Sequence, residues 1–189
     1  MVSEILKKAA ELKSKLVDFS NSAQFNKEFK KGIKKKFGDP AVFEAEEEFV
    51  DFVDWFILEK RFKDGETVLA KFIKTDTTLT EKEKEMLLGW KKTKSLLFTV
   101  KKKLRDGFIL VDVIEGKEYL VKPTAKMPRL KVRKGDYLIS RIVPLEDYYT
   151  FSGVSRVISR KDFEQANLAA KNLAFSKTLK EEKGKMKEE

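Results

Sequence analysis

Residues 95–122 read SLLFTVKKKLRDGFILVDVIEGKEYLVK, and the fold turns on how this stretch is read. Val, Ile, Leu, Phe and Tyr crowd 96–104, 107–114 and 117–122, and turn residues break the runs at Asp106-Gly107 and Glu115-Gly116. The second break is tight enough for a two-residue hairpin loop. Residues 136–143 and 148–154 repeat the extended pattern. Five short strands of this kind predict a small β-barrel, SH3-like or of the oligonucleotide-binding (OB) type.

Upstream the period is helical. Ile5, Leu6, Ala9, Leu12, Leu16 and Phe19 recur at helical spacing, and Phe25, Phe29 and Ile33 continue the pattern after Ser20-Asn21-Ser22. A further helix is predicted over 41–62, with Phe43, Phe49, Val50, Phe52, Val53, Trp55, Phe56, Ile57 and Leu58 on a wide apolar face and Glu44, Glu47, Asp51 and Asp54 in a narrow acidic stripe. After Asp64-Gly65, a short segment runs through Val68, Leu69, Phe72 and Ile73. Thr80 and Glu83 then form a capping box opening a helix to about Lys94, and Ser159 and Asp162 form another that opens a helix carrying Phe163, Ala166, Ala170 and Leu173. The expected fold class is α+β: a helical region (1–94) packed on a small five-stranded barrel (95–158), with a C-terminal helix and charged tail (159–189).

Composition narrows the chemistry. The 189-residue chain contains no cysteine and no histidine, which excludes disulfides, thiolate nucleophiles, histidine-ligated metals and every triad or dyad built on imidazole. Carboxylate, lysine, tyrosine or serine–lysine chemistry remains. No phosphate-cradling G-x-x-x-x-G-K-[ST], G-x-G-x-x-G or G-x-S-x-G motif is present, and Ser152-Gly153 and Lys134-Gly135-Asp136 read as strand-end turns. The chain is expected not to be an enzyme and to need no cofactor or metal. Glu47, Asp51 and Asp54 stand at i, i+4 and i+7, a spacing open to a Mg²⁺-type ion, but pairing with the chain's own basic barrel is the favoured reading. No run is apolar enough for a membrane span, and MVSEILKKAAELKSK reads as an amphipathic helix, so a cytoplasmic location without a membrane partner is expected.

Charged residues make up 38% of the chain, a Lys- and Glu-rich, amide-poor bias of the kind thermophile proteins show. The net charge of +10 is unevenly placed: residues 41–90 carry 7 basic and 13 acidic residues, whereas 91–143 carry 15 basic and 5 acidic. Lys91, Lys92, Lys94, Lys101, Lys102, Lys103 and Arg105 lead into and line the first strand. Lys122, Lys126, Arg129, Lys131, Arg133 and Lys134 crowd the loop before the Asp136 strand. Cations gathered this way attract phosphate backbones, and Tyr119, Tyr137, Tyr148, Tyr149 and Phe151 are candidate stacking platforms for single-stranded bases.

Two functional expectations follow. The first is a non-catalytic, sequence-independent nucleic-acid-binding module, for RNA or single-stranded DNA, with Lys101, Lys102, Lys103, Arg105, Lys122, Lys126, Arg129, Lys131, Arg133, Lys134, Tyr119 and Tyr137 as its binding residues. The second is a protein-interaction or adapter module whose basic surface is merely solvated, with lysines protecting strand edges.

The stretches FVDFVDWFILEKRFKDGETVLAKF (49–72), LLFTV (96–100), GKEYLV (116–121), KGDYLI (134–139) and FSG (151–153) resemble the body region of bacterial SEC-C-motif proteins over about 45–155. The resemblance implies the helical-plus-small-barrel architecture. The Cys/His zinc tail of those proteins has no counterpart here, so no zinc chemistry carries over.

Overall fold

A computed structural model of the chain describes residues 2–38, 46–93, 95–123 and 130–167. Helix α1 (Val2–Ser20) and helix α2 (Asn26–Phe37) are joined by a single 3-10 turn at Ala23–Phe25, then follow α3 (Glu46–Leu58), α4 (Val68–Thr75) and α5 (Glu81–Trp90). Strands β1 (Ser95–Lys103), β2 (Phe108–Asp112), β3 (Glu118–Val121), β4 (Tyr137–Leu145) and β5 (Tyr148–Ile158) complete the order, and residues 160–167 are helical. The fold is mixed α+β, with a five-stranded sheet that closes in a ring.

The helix starts follow from local chemistry. Thr80 caps α5, its hydroxyl accepting from the Glu83 N–H while Glu83 accepts from the Thr80 N–H at 2.8 Å. Ser159 caps the last helix, its hydroxyl accepting from the Asp162 N–H at 3.1 Å and donating to the Asp162 carboxylate at 2.6 Å. The segment after Asp64-Gly65 is helical too: the Thr67 hydroxyl accepts from the Ala70 N–H and starts α4, whose Val68, Leu69 and Phe72 are buried. Helix α3 stops at Leu58 rather than near 62: the Lys60 N–H reaches five residues back to the Trp55 carbonyl at 2.9 Å, outside the i to i−4 helical repeat. The start of that predicted helix, 41–45 with Phe43 and Glu44, and the last helix beyond 167 lie outside the described residues.

In the ring, β1 pairs antiparallel with β2 and β4, β2 with β3, β4 with β5, and β3 lies parallel on β5. The β1–β2 connection is as tight as its Asp-Gly pair suggests, with the Leu104 N–H on the Gly107 carbonyl at 2.8 Å. A Cβ at Gly107 would fall 2.4 Å from the Val121 carbonyl oxygen, so only glycine lets β3 pass this close. The β2–β3 connection is looser than the two-residue loop expected. Its turn spans 113–116, because the buried Asp112 carboxylate accepts from the Ile114 and Glu115 N–H groups at 2.7 and 3.1 Å and holds a wider bend open.

Two apolar clusters fill the molecule. One gathers Leu12 and Leu16 from α1, Phe52, Phe56 and Ile57 from α3, Leu69 and Phe72 from α4 and Leu87 and Trp90 from α5, and continues into Val143, Leu145 and Tyr148 of the sheet. The other fills the ring with Phe98, Val100, Phe108, Leu110, Tyr119, Val121, Leu138, Ile142 and Phe151. The helical region therefore shares its core with β4 and β5.

Candidate nucleic-acid interface

The cations of the first strand and of the 131–134 loop meet at one end of the ring. The β1–β2 register slips between Val100 and Lys102, a bulge that leaves Lys101, Lys102 and Lys103 all exposed. The turn before β4 is laid against that bulge: the Gly135 N–H donates to the Val100 carbonyl and the Val100 N–H to the Asp136 carbonyl, both at 2.9 Å. Asp136 shapes the turn itself, its carboxylate accepting from the Arg133 N–H at 2.7 Å. Lys131 and Arg133 are exposed on either side of Val132, which is buried in the ring's core. Arg105 stands exposed in the adjoining β1–β2 turn.

Not all of these charges are equally available. Lys101 pairs with Glu118, and Lys122 pairs with Asp106 at 3.3 Å while lying over the Tyr148 ring. Lys102, Lys103, Arg105, Lys131, Arg133 and Lys134 have no acidic partner among the described residues. Lys126 and Arg129 lie outside the described residues. The last helix adds a cation not among the expected binding residues: a Cβ at Gly135 would sit 3.7 Å from the Arg160 side chain, so Arg160, itself paired with Glu164 at 2.7 Å, borders the same turn.

The aromatic half of the expected interface is placed differently. Tyr119 is buried, edge-on to Phe98 at 5.7 Å and to Tyr149 at 4.9 Å, with the Lys117 ammonium 5.2 Å from its ring centre. Burial, and after it the Asp112 carboxylate, push its phenol above the ordinary tyrosine value. Tyr137 is stacked on Phe163 of the last helix with ring centres 3.7 Å apart. Tyr148 and Phe151 are buried, and Tyr149 is half-buried. Strand alternation turned most of these rings inward, so the cation cluster has no exposed ring beside it from this set.

The acidic stripe of α3 has a structural partner. Arg141 of β4, 3% exposed, is bound by Asp51 at 2.9 Å and by Glu59 at 2.6 Å. Burial pushes the Asp51 carboxyl up, but the Arg141 guanidinium outweighs it and holds the group below the ordinary carboxylate value. Asp54 is buried and accepts from the Ser152 hydroxyl at 2.7 Å and from Lys13 of α1 at 2.6 Å. Ser152 and Gly153 thus sit inside β5, not at a strand-end turn as their sequence suggests. The β4–β5 register slips between Ser140 and Arg141, leaving Gly153 and Val154 as the bulge while Ser152 stays paired with Arg141. Lys13 also donates to Ser152 at 3.1 Å, so its ammonium bridges the serine and the Asp54 carboxylate. The trio joins α1, α3 and β5. Among the described residues no group of three or more carboxylates is placed to hold a metal ion, and no helix is long and apolar enough to cross a membrane.

No curated protein and no solved structure matches the chain. The family model described as "Family of unknown function (DUF7986)" matches residues 3–188, and the chain belongs to that family.

Proposed function

We propose that this protein is a non-catalytic module that binds the sugar-phosphate backbone of nucleic acid without regard to sequence. The observation that carries the reading is the gathering of Lys102, Lys103, Arg105, Arg133 and Lys134 around the β1 bulge, all exposed and without acidic partners among the described residues. Backbone hydrogen bonds fix the two segments against each other, so the cations are presented on a rigid frame rather than on a floppy loop. Such an array releases counterions from a phosphate chain on binding. The ring order, with β1 between β2 and β4 and β3 parallel on β5, supports the OB type of small barrel over the SH3-like type. In OB barrels the β1–β2 loop and the β2–β3 face serve oligonucleotides, which favours RNA or single-stranded DNA as the partner.

The test is fluorescence polarisation of labelled single-stranded RNA and DNA at about 50 and 200 mM salt. Binding that falls steeply with salt in the native protein, and is weakened with a flatter salt slope in the Lys131→Glu/Arg133→Glu double variant, is expected. Unchanged affinity and slope in the variant would remove the turn from the interface.

A protein-interaction role is the second reading. Ile114 is 84% exposed at the β2–β3 turn, with the exposed Val113 beside it, and Leu88 is exposed on α5. Absence of any nucleic-acid binding at the lower salt would shift the function to this apolar edge.

A further inference from the structure

A cavity of about 650 Å³ opens at the end of β1 away from the cation cluster, between the end of α5 and the β2–β3 turn. Lys92, Thr93, Leu96, Lys117, Tyr119 and Tyr149 line it. Its volume is in the range of small-molecule sites.

Three features point to what it takes. Thr93 is 8% exposed and its hydroxyl has no hydrogen-bond partner among the described residues, a state that buried polar groups rarely occupy unless something else completes them. Lys92 and Lys117 are exposed and have no acidic partner among the described residues. Tyr149, half-buried, meets Tyr119 edge-on, and with Leu96, Ile142 and Pro144 it gives the cavity an apolar and aromatic lining. A purely apolar ligand would leave the Thr93 hydroxyl unsatisfied. A bare anion would leave the apolar lining unused, and Glu115 at the cavity would oppose it. A nucleotide answers all of these together: a flat base for the lining, polar base edges for the Glu115 carboxylate and for the Thr93 hydroxyl once a χ1 rotation turns it from its sealed position to the cavity, and a phosphate for the two lysines.

Resting on the nucleic-acid reading above, we infer that this cavity receives one unstacked nucleotide of a single strand, while the strand's neighbouring phosphates run along β1 to Lys102 and Lys103. From Leu96 to Lys101 the strand rises roughly 17 Å, at about 3.3 Å per residue, a gap that a few nucleotides bridge. The cavity thereby supplies the base contact that Tyr137, stacked on Phe163, does not.

The experiment compares an oligouridine with an abasic oligomer of the same length, by fluorescence polarisation, on the native protein and on the Lys117→Glu and Thr93→Val variants. The native protein is expected to bind the oligouridine roughly tenfold more tightly than the abasic strand, the size of effect one stacked base produces. Thr93→Val is expected to reduce that ratio toward one while still binding the abasic strand, and Lys117→Glu to weaken both strands through the lost phosphate contact. Equal affinity of the native protein for the two strands overturns the nucleotide cavity and leaves the backbone reading standing. If neither strand binds, the backbone reading falls, and the cavity is judged by titrating uridine and adenosine monophosphates while following the Thr93 and Lys117 amide resonances. Saturable shifts at those amides sustain it, and unchanged resonances overturn it.

Discussion

A Cβ placed on Gly153 would stand 2.6 Å from Oδ2 of Asp54. The two residues belong to the stretches Asp54-Trp55-Phe56 and Phe151-Ser152-Gly153, far apart in sequence and brought together where α3 crosses β5. Gly153 also holds a φ of +70°, in the left-handed region that side chains disfavour. Gly153→Ala is therefore expected to lower unfolding free energy by about 2–4 kcal/mol, from backbone strain together with the collision. Urea denaturation reads this directly, and a loss within error of zero would mean the carboxylate moves aside freely.

Arg141 offers a second measure of the same junction. Removing its guanidinium leaves Asp51 and Glu59, both half-buried, without the cation that joins them, and among the described residues only Asp51 keeps another nearby, Lys36 at 3.5 Å. Arg141→Met is expected to cost about 3 kcal/mol in chemical denaturation, since an orphaned partner of a buried pair is more costly than the pair is worth. Arg141→Lys should restore only part, because a single ammonium cannot reproduce the guanidinium's two-sided fork.

Acid sensitivity should be traceable to one cap. Glu83 is held at a pKa of about 2, below its ordinary 4.5, first by the Thr80 backbone N–H, then by the Thr80 hydroxyl and the Lys8 ammonium. A carboxylate whose folded pKa is depressed stabilises the fold above its unfolded pKa and loses that contribution as pH falls through the folded value. The difference in melting temperature between the native protein and Glu83→Gln should therefore be full at neutral pH and shrink as pH drops from about 4.5 toward 2. A difference that stays constant over that range would show that the charge is not what the cap uses.

The shared core predicts joint unfolding. Phe56 is fully buried in a cluster that includes Val143, Leu145 and Tyr148 of the sheet. Phe56→Ala is expected to cost about 3–5 kcal/mol and to lower the midpoint seen by tryptophan fluorescence, which reports Trp55 and Trp90, and by β-sheet circular dichroism together. Two separated midpoints would show that the ring holds without its helices.

The local parts of this architecture were legible and the non-local parts were not. The Thr80–Glu83 capping box and the Ser159 cap were readable because a hydroxyl and a carboxylate three residues apart mark a helix start. The five strands were readable from their Val, Ile, Leu, Phe and Tyr content and the turn residues between them, with ends displaced by a few residues. Alternation does not say which alternate faces inward once a ring closes, so Tyr119 read as a stacking platform although closure buries it, and Tyr137 gave no sign that Phe163 would cover it. Asp54 read as part of an acidic stripe that pairs with the basic barrel, and its actual partners, Lys13 of α1 and Ser152 of β5, could not be named because they lie on elements distant in sequence. Arg141 passed as one cation among many, for nothing local marks a residue as buried between two acids. The charge imbalance itself was plain, and the Lys101–Lys103 run and the 131–134 loop did come together. That Thr93 and Lys117 share a cavity could be read only from the assembled ring.

The ring has one weak closure. Strands β4 and β5 align along nine paired positions, whereas β3 meets β5 at the single pair Val121 and Tyr149, reinforced by the Lys122 N–H on the Tyr149 carbonyl at 2.8 Å. This is the clasp of the molecule, and Tyr119 and Tyr149 stand one on each side of it. Transient parting there would exchange the Lys122 amide with solvent sooner than the amides between β4 and β5. It would also widen the cavity that those two rings help to wall, so a guest lodged between them would latch the clasp and slow that exchange.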